Sequence, residues 1–212
     1  MYGVTFGDKH SYDDYGLILT EYDTGIPVPK RSLITVPGRN GTLDLTQILT
    51  PELTYENRQL QFVFVGKKDP EDFEEAAQEL WNDLHGKDLQ VIIDTDPDHY
   101  YDGFVEIGAI TFSDRQKMMV TVTVDAYPYK LAVEETELTL TGSGTVDCTN
   151  DSMPVIPEFE NTAEAQITYR DIHATLAPGT HKVMNIVLEK GSNQIEIASS
   201  GTTEIRYRQG RL

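Results

Sequence analysis

The chain has 212 residues, 39% of them hydrophobic and 25% charged, which suits one large domain or two modest ones and excludes wholesale disorder. With 17 basic and 35 acidic residues the formal net charge is −18 at pH 7, a field that repels phosphates and excludes gripping nucleic acid or an anionic membrane through average charge. The single cysteine, Cys148, excludes an internal disulfide, so packing or assembly has to stabilise the fold.

No apolar run approaches the roughly 18 to 20 residues that span a bilayer, and Met1-Tyr2-Gly3-Val4 lacks the basic and apolar regions of a signal peptide. The expectation is a protein made and folded in a cytoplasm. Leu17-Ile18-Leu19 opens a strand, and Thr24–Arg31, with Pro27 and Pro29, reads as an extended connector. Leu60–Val65 is apolar on both faces except at Gln61, as in an inner strand. A helix follows: Asp69 is placed to cap it, Pro70 suits its first position, and Glu71 and Asp72 complement the positive end of its dipole. Phe73, Ala76, Ala77, Leu80, Trp81 and Leu84 fall on one face of it, and Gly86 stops it. Trp81 is expected to anchor this helix on a sheet rather than stack on a ligand.

Leu89–Ile93 reads as another inner strand, so the order strand, helix, strand allows a crossover connection. Gly103–Phe112 and Met118–Ala126 then form an antiparallel hairpin through Ser113-Asp114-Arg115-Gln116, with Val120, Val122, Val124 and Ala126 sharing one face. After Tyr127-Pro128-Tyr129-Lys130 the texture changes to short strands: Thr136–Thr141, Thr145–Cys148, Val155–Phe159, Ala165–Tyr169, Val183–Leu188, Gln194–Ala198 and Thr203–Arg208. Gly142-Ser143-Gly144, Ala177-Pro178-Gly179 and Gly191-Ser192-Asn193 punctuate them as turns. The fold class is therefore mainly β with one α-helix, split near Glu134 into residues 1–133 and a compact sandwich or jelly roll of residues 134–212. There is no internal repeat and no low-complexity tract.

A search for chemistry assigns no catalytic, cofactor-binding or metal site. Asp94-Thr95-Asp96-Pro97-Asp98 opens like a calcium loop, but His99 stands where glycine is required and Val105 where a bidentate glutamate is needed; the segment reads as a strand-ending turn before Tyr100-Tyr101. His10, His85, His99, His173 and His181 have no metal-ligand spacing. Asp147 and Asp151 would raise the thiol pKa of Cys148, which suits an inert group better than a nucleophile. Nucleophile-elbow, dinucleotide and phosphate-loop motifs are missing. Acidic pairs such as Glu74-Glu75 and Glu134-Glu135 arise by chance among 35 carboxylates and read as solvated. The sequons at Asn40 and Asn150 carry no weight without a secretory route.

Three segments in order resemble the N-terminal domain of siphophage distal tail proteins (Dit): Val36-Pro37-Gly38-Arg39-Asn40-Gly41 with Leu43-Asp44-Leu45-Thr46, the helix carrying Trp81, and Asp96–Gly103 leading to Asp125-Ala126-Tyr127-Pro128-Tyr129-Lys130. The rest is similar to that family's second domain, with Asn161 in Phe-Glu-Asn, Gly191-Ser192-Asn193 before Ile195 and Ile197, and the ending Ile205-Arg206-Tyr207-Arg208-Gln209-Gly210-Arg211-Leu212. The resemblance implies a tail-tube-like β-sandwich or barrel followed by a galectin-like β-sandwich. It also implies a homohexameric ring at the virion tail tip, assembled in the host bacterial cytoplasm, that joins the tail tube protein to the tail-associated hub and anchors receptor-binding or baseplate proteins. Viral DNA would pass through such a ring without specific binding, and an acidic lumen would suit that passage. Copies at −18 each repel, so assembly is expected to weaken at low ionic strength. Extended segments such as Thr24–Arg31 and the hairpin end near Tyr127 are candidates for pairing with an adjacent subunit. The alternative is a glycan-binding β-sandwich protein using Tyr100, Tyr101, Tyr169 or Tyr207 as an exposed aromatic face; an enzyme is not expected.

Overall fold

The computed structural model describes residues 2–49, 53–66, 73–113 and 117–212. The protein is mainly β and antiparallel, and it forms two compact units, Met1–Pro128 and Tyr129–Leu212.

The first unit contains β1 (Val4–Phe6), β2 (Lys9–His10), β3 (Leu17–Asp23), β4 (Leu33–Thr35), β5 (Thr42–Asp44), the single turn α1 (Thr46–Leu49), β6 (Arg58–Gly66), α2 (Phe73–Leu84), β7 (Lys87–Ile93), β8 (His99–Ser113) and β9 (Lys117–Ala126). Its main sheet has the order β2-β1-β7-β8-β9-β6-β3. The period-2 pattern sets which residues go inward: Met118, Val120, Val122, Val124 and Ala126 of β9 are all buried, as are Leu60, Phe62 and Phe64 of β6. Phe6 meets Phe62 edge-on at 5.8 Å, and Ala76, Leu80 and Leu84 of α2 close the same core. Each buried Val, Leu, Met or Phe among them stabilises the unit by about 1.5–3 kcal/mol.

The predicted hairpin is present, with Gly103 opposite Ala126 through to Ser113 opposite Lys117; residues 114–116 of its turn lie outside the described residues. Its ladder shifts register between Ile107 and Ile110, and there His85 Nδ1 accepts the Ile107 N–H at 3.0 Å. The helix ends before Gly86, which adopts φ 76°, while the predicted cap at Asp69, Pro70, Glu71 and Asp72 lies outside the described residues.

Two expectations fail in this unit. Trp81 is 46% exposed and does not anchor α2; the buried stripe runs through Ala76, Ala77, Leu80 and Leu84, and the Tyr15 hydroxyl tethers the helix by donating to Asp83 at 2.9 Å. The strands flanking α2 make no parallel crossover, because β8 and β9 lie between β6 and β7 and every pairing along that path is antiparallel. Strands β1 and β2 were not expected, being too short to display a period.

The second unit contains β10 (Lys130–Ala132), β11 (Thr136–Thr141), β12 (Gly144–Asn150), β13 (Glu158–Asn161), β14 (Ala165–Tyr169), β15 (Ile172–Leu176), β16 (Gly179–Lys182), β17 (Gly191–Ser199), β18 (Thr202–Tyr207) and β19 (Gly210–Arg211). Two four-stranded sheets, β11-β18-β13-β16 and β12-β17-β14-β15, share one core in which Phe159, Ile205 and Tyr207 meet Ile167, Tyr169, Ile195 and Ile197, as in a β-sandwich. The change in sequence texture falls near Glu134, yet Lys130 and Leu131 already pair with Arg211 and Gly210, a long-range contact that local pattern does not display.

Val183–Leu188 is not a strand. Ile186 and Leu188 are fully buried, but the segment turns at Val183, whose carbonyl accepts the Ile186 N–H, and Leu188 forms an isolated bridge with Val155 outside the two sheets. An apolar run does not distinguish a strand from a loop that plugs a core. Gly191-Ser192-Asn193, expected as a turn, begins β17, with the Asn193 amide donating to the carbonyls of Cys148, Glu189 and Gly191.

Candidate functional site

The chemistry-bearing residues singled out in the sequence are held by the chain itself. Asp94 Oδ2 accepts the Gly3 N–H at 2.7 Å and lies 3.3 Å from His10 Nε2, and Asp96 pairs with His99 Nδ1 at 2.8 Å. His173 Nδ1 lies 3.1 Å from Thr168 Oγ1, and His181 Nε2 lies 2.8 Å from the Ala177 carbonyl. Among the described residues no group of three or more His, Cys, Asp or Glu could hold a metal ion. Cys148 is fully buried, and its thiol is pushed up to about 12, by burial first and by Asp147 second. Glu135 pairs with Arg208 at 3.5 Å. Asn150 is buried, its amide donating to the carbonyls of Met153 and Leu188, so it is no surface sequon.

The aromatic candidates for a glycan face are misplaced for that role. Tyr100, Tyr101, Tyr169 and Tyr207 are all under 9% exposed; Tyr169 donates to the Val187 carbonyl and Asn193 Oδ1, and Tyr207 to the Thr149 carbonyl. All four are buried, and Tyr169 and Tyr207 are core residues with a polar tip satisfied inside the fold.

What the fold leaves outward is an arm. Strands β3 and β6 are hydrogen-bonded neighbours, with Asp23 opposite Gln61, yet residues 24–57 intervene where a tight turn would serve. The root of this arm is fixed by Arg58, which is buried. Its guanidinium donates to the carbonyls of Thr24 at 2.8 Å, Gly25 at 2.6 Å and Pro128 at 3.2 Å, and lies 5.2 Å from the centre of the Tyr101 ring. Gly25 has φ 57°, and a Cβ there would sit 2.6 Å from the Gln59 carbonyl oxygen, so the chain leaves the sheet by a conformation that favours glycine.

Beyond the root the arm has polar order and no core. Pro29 bridges Tyr55, and Lys30 N and Glu56 N donate to the carbonyls of Thr54 and Val28. At its outer end β4 and β5 form a two-stranded sheet, and Asp44 receives Arg31 Nη2 at 2.7 Å and the Thr46 N–H at 3.0 Å. The Thr46 and Arg31 hydrogen bonds hold the Asp44 carboxyl down at about 2. Ile26 is 90% exposed, Ile48 75% and Val28 62%; Leu33, Ile34 and Val36 also face solvent. A cavity of about 460 Å³ opens among Pro29, Arg31, Asp44, Ile48 and Leu53. The sequence marked the connector through Pro27 and Pro29 but not the hairpin beyond it, whose strands span three residues each.

No protein-family model and no curated protein matches the sequence. A solved structure does match: the crystal structure of the SPP1 Dit (gp 19.1) protein, described as a paradigm of the hub adsorption apparatus in phages infecting Gram-positive bacteria, aligns over 100% of both chains with a TM-score of 0.71. The chain has the Dit fold. At 14% identity the likeness is one of architecture rather than of shared side chains. The Dit fold is what the turn at Gly38-Arg39-Asn40-Gly41 and the Pro-Tyr-Lys segment at Pro128–Lys130 led one to expect.

Proposed function

We propose that this chain is a structural distal tail protein of a siphophage or prophage. The observation that carries the reading is the match to SPP1 Dit across the full length of both chains, which a shared sandwich alone would not produce. In this reading the chain forms a homohexameric ring at the virion tail tip, joins the tail tube protein to the tail-associated hub and anchors the host-recognition or baseplate proteins. The first unit, Met1–Pro128, is the tail-tube-like ring former and the second, Tyr129–Leu212, the galectin-like sandwich. The chain acts by shape and association and makes or breaks no bonds.

Two features support it. The polar groups that might have served catalysis are bonded within the fold, as with Asp94, Asp96 and His99. A charge of −18 also suits a passage for DNA, since a basic wall would retain phosphates by counterion release. The test is immunogold labelling of virions with an antibody to this chain, beside pull-down of the tail tube and hub proteins. Gold at the far end of the tail is expected, and gold on capsids or fibre tips with that end bare would overturn the proposal. For the lumen, an assembled ring whose channel wall is predominantly basic would refute the DNA argument.

A further inference from the structure

We propose that Asn40 is a self-modifying site, at which the side-chain amide closes on the main-chain nitrogen of Gly41 and is hydrolysed to aspartate and isoaspartate. This goes beyond the structural role above and does not depend on it.

The chemistry needs a particular local arrangement. The Gly41 nitrogen, having given its proton to hydroxide, attacks Asn40 Cγ and forms an N–C bond; the amide nitrogen leaves as ammonia, and a five-membered succinimide remains. Water then adds to one of the two ring carbonyl carbons. Breaking the bond from nitrogen to Cγ gives aspartate, and breaking the bond from nitrogen to the Asn40 main-chain carbonyl carbon gives isoaspartate, whose main chain runs through Cβ. Nothing is oxidised or reduced, and one ammonia is exchanged for one water. Because nucleophile and electrophile belong to adjoining residues, the barrier depends on whether the backbone is free to bring them together. A bulky following side chain crowds that approach, a hydrogen bond on the nitrogen withholds it, and burial shuts out water.

Of the seven asparagines only Asn40 precedes glycine; the others precede Arg58, Asp83, Asp151, Thr162, Ile186 and Gln194. Asn40 and Gly41 are both exposed, in the turn between β4 and β5. That turn opens with Pro37 and with Gly38 at φ 80°, the Arg39 N–H donating to the Val36 carbonyl as in a type II turn, and Gly41 follows at φ 76°. A Cβ on Gly41 would meet no atom within 4 Å, so the space around the attacking nitrogen is open. Among the described residues neither the Asn40 amide nor the Gly41 N–H has a hydrogen-bond partner.

The remaining asparagines are held. Asn150, Asn161 and Asn193 are buried, and the Asn150 and Asn193 amides donate to main-chain carbonyls. The nitrogens that would attack are engaged as well: the Thr162 N–H donates to the Thr202 carbonyl and the Ile186 N–H to the Val183 carbonyl. Asp83 lies in α2, and Arg58 and Gln194 lie in β6 and β17. Conversion of Asn40 adds a carboxylate beside Arg39 to a chain already at −18, and the isoaspartyl form lengthens the main chain of the turn by one carbon. No residue of this turn contributes to either hydrophobic core, so the fold tolerates the change and carries it as a record of the chain's age.

The experiment incubates the full chain, native and unfolded in urea, in heavy-oxygen water at neutral and mildly alkaline pH. Tryptic peptides are then mapped by mass spectrometry, with fragment ions locating each labelled residue. Native Asn40 is expected to take up the label at a rate within about tenfold of the unfolded chain's, because the turn leaves the two reacting groups as free as an open chain does. The rate should rise with pH, since the attacking nitrogen must lose its proton. Part of the product should accept a methyl group from S-adenosylmethionine through an isoaspartyl methyltransferase, which identifies the isoaspartyl form. Gly41→Ala is expected to slow native conversion about tenfold by crowding the attack, and Asn40→Gln, which needs a six-membered ring, to abolish it. Urea midpoints read by Trp81 fluorescence should match wild type in both variants, which separates a lost signal from a lost fold. Conversion in urea with Asn40 intact in the native chain overturns the inference, as does native conversion that begins at any other asparagine.

Discussion

Replacing Arg58 with methionine tests whether the arm root is part of the stability of the first unit. The side chain is buried, and among the described residues no carboxylate neutralises it; three carbonyls and the face of Tyr101 hold the charge instead. Methionine fills similar length but donates nothing, so the carbonyls of Thr24, Gly25 and Pro128 lose their donor together. Hydrogen bonds from a charged group contribute about 1.5–3 kcal/mol each, and a buried acceptor left alone costs about 1–3 kcal/mol. The carbonyls of Thr24 and Gly25 lie on half-buried residues that water reaches on relaxation, so the lower end applies and the expected loss is about 3–4 kcal/mol. Trp81, the one tryptophan, sits in α2 of the first unit and reports that unit alone. With a urea slope of about 1–3 kcal/mol per molar, the midpoint seen by its fluorescence should fall by about 1–4 M. Arg58→Lys keeps the charge but not the fork, and should fall between the two. A methionine variant within about 0.5 kcal/mol of wild type would refute the clamp.

Gly103→Ala should destabilise the first unit by several kcal/mol, since its Cβ would lie 2.5 Å from the Asp125 carbonyl oxygen and 2.6 Å from Ala126 Cα, both backbone of the partner strand; thermal unfolding checks it. Leu80→Ala, which empties the fully buried contact of α2 with the sheet, should cost about 2–5 kcal/mol in the same fluorescence assay. Cys148 should stay unreactive toward a thiol reagent in the native state and react at the rate of unfolding, so fast native labelling would contradict its burial. Cys148 and Tyr207 are both pushed up to about 12, chiefly by burial. Their contribution is therefore whole below the ordinary thiol value of 9.0 and fades as pH rises toward about 12; circular dichroism should show the second unit weakening over that window and not below it.

The strands that could be read in advance are those long enough to display their period. Met118–Ala126 and Ala165–Tyr169 alternate cleanly, and each buries the expected face. The expected anchoring by Trp81 fails because helical spacing marks a face without its centre; the stripe is centred on Leu80, and the tryptophan lies at its border. The run at residues 183–188 reads as a strand because burial and strand pairing leave the same apolar mark. Arg58 is not legible in the sequence, since a lone arginine at the head of an apolar strand has no local signature and its partners lie 33 to 70 residues away. The arm was legible as a proline-bearing connector, but its role depends on what it fails to bury, which only the fold reveals.

The departure of residues 24–57 from two adjoining strands has an engineering corollary. Because Asp23 and Gln61 already face each other in the ladder, the segment between is a closed detour, and loop-closure entropy changes slowly with its length. The sheet does not need to be rethreaded when the detour is shortened, lengthened or exchanged. The exposed turn at residues 37–41 is thus a socket: a foreign epitope or affinity tag inserted there would be displayed beyond β4 and β5 without disturbing the framework beneath.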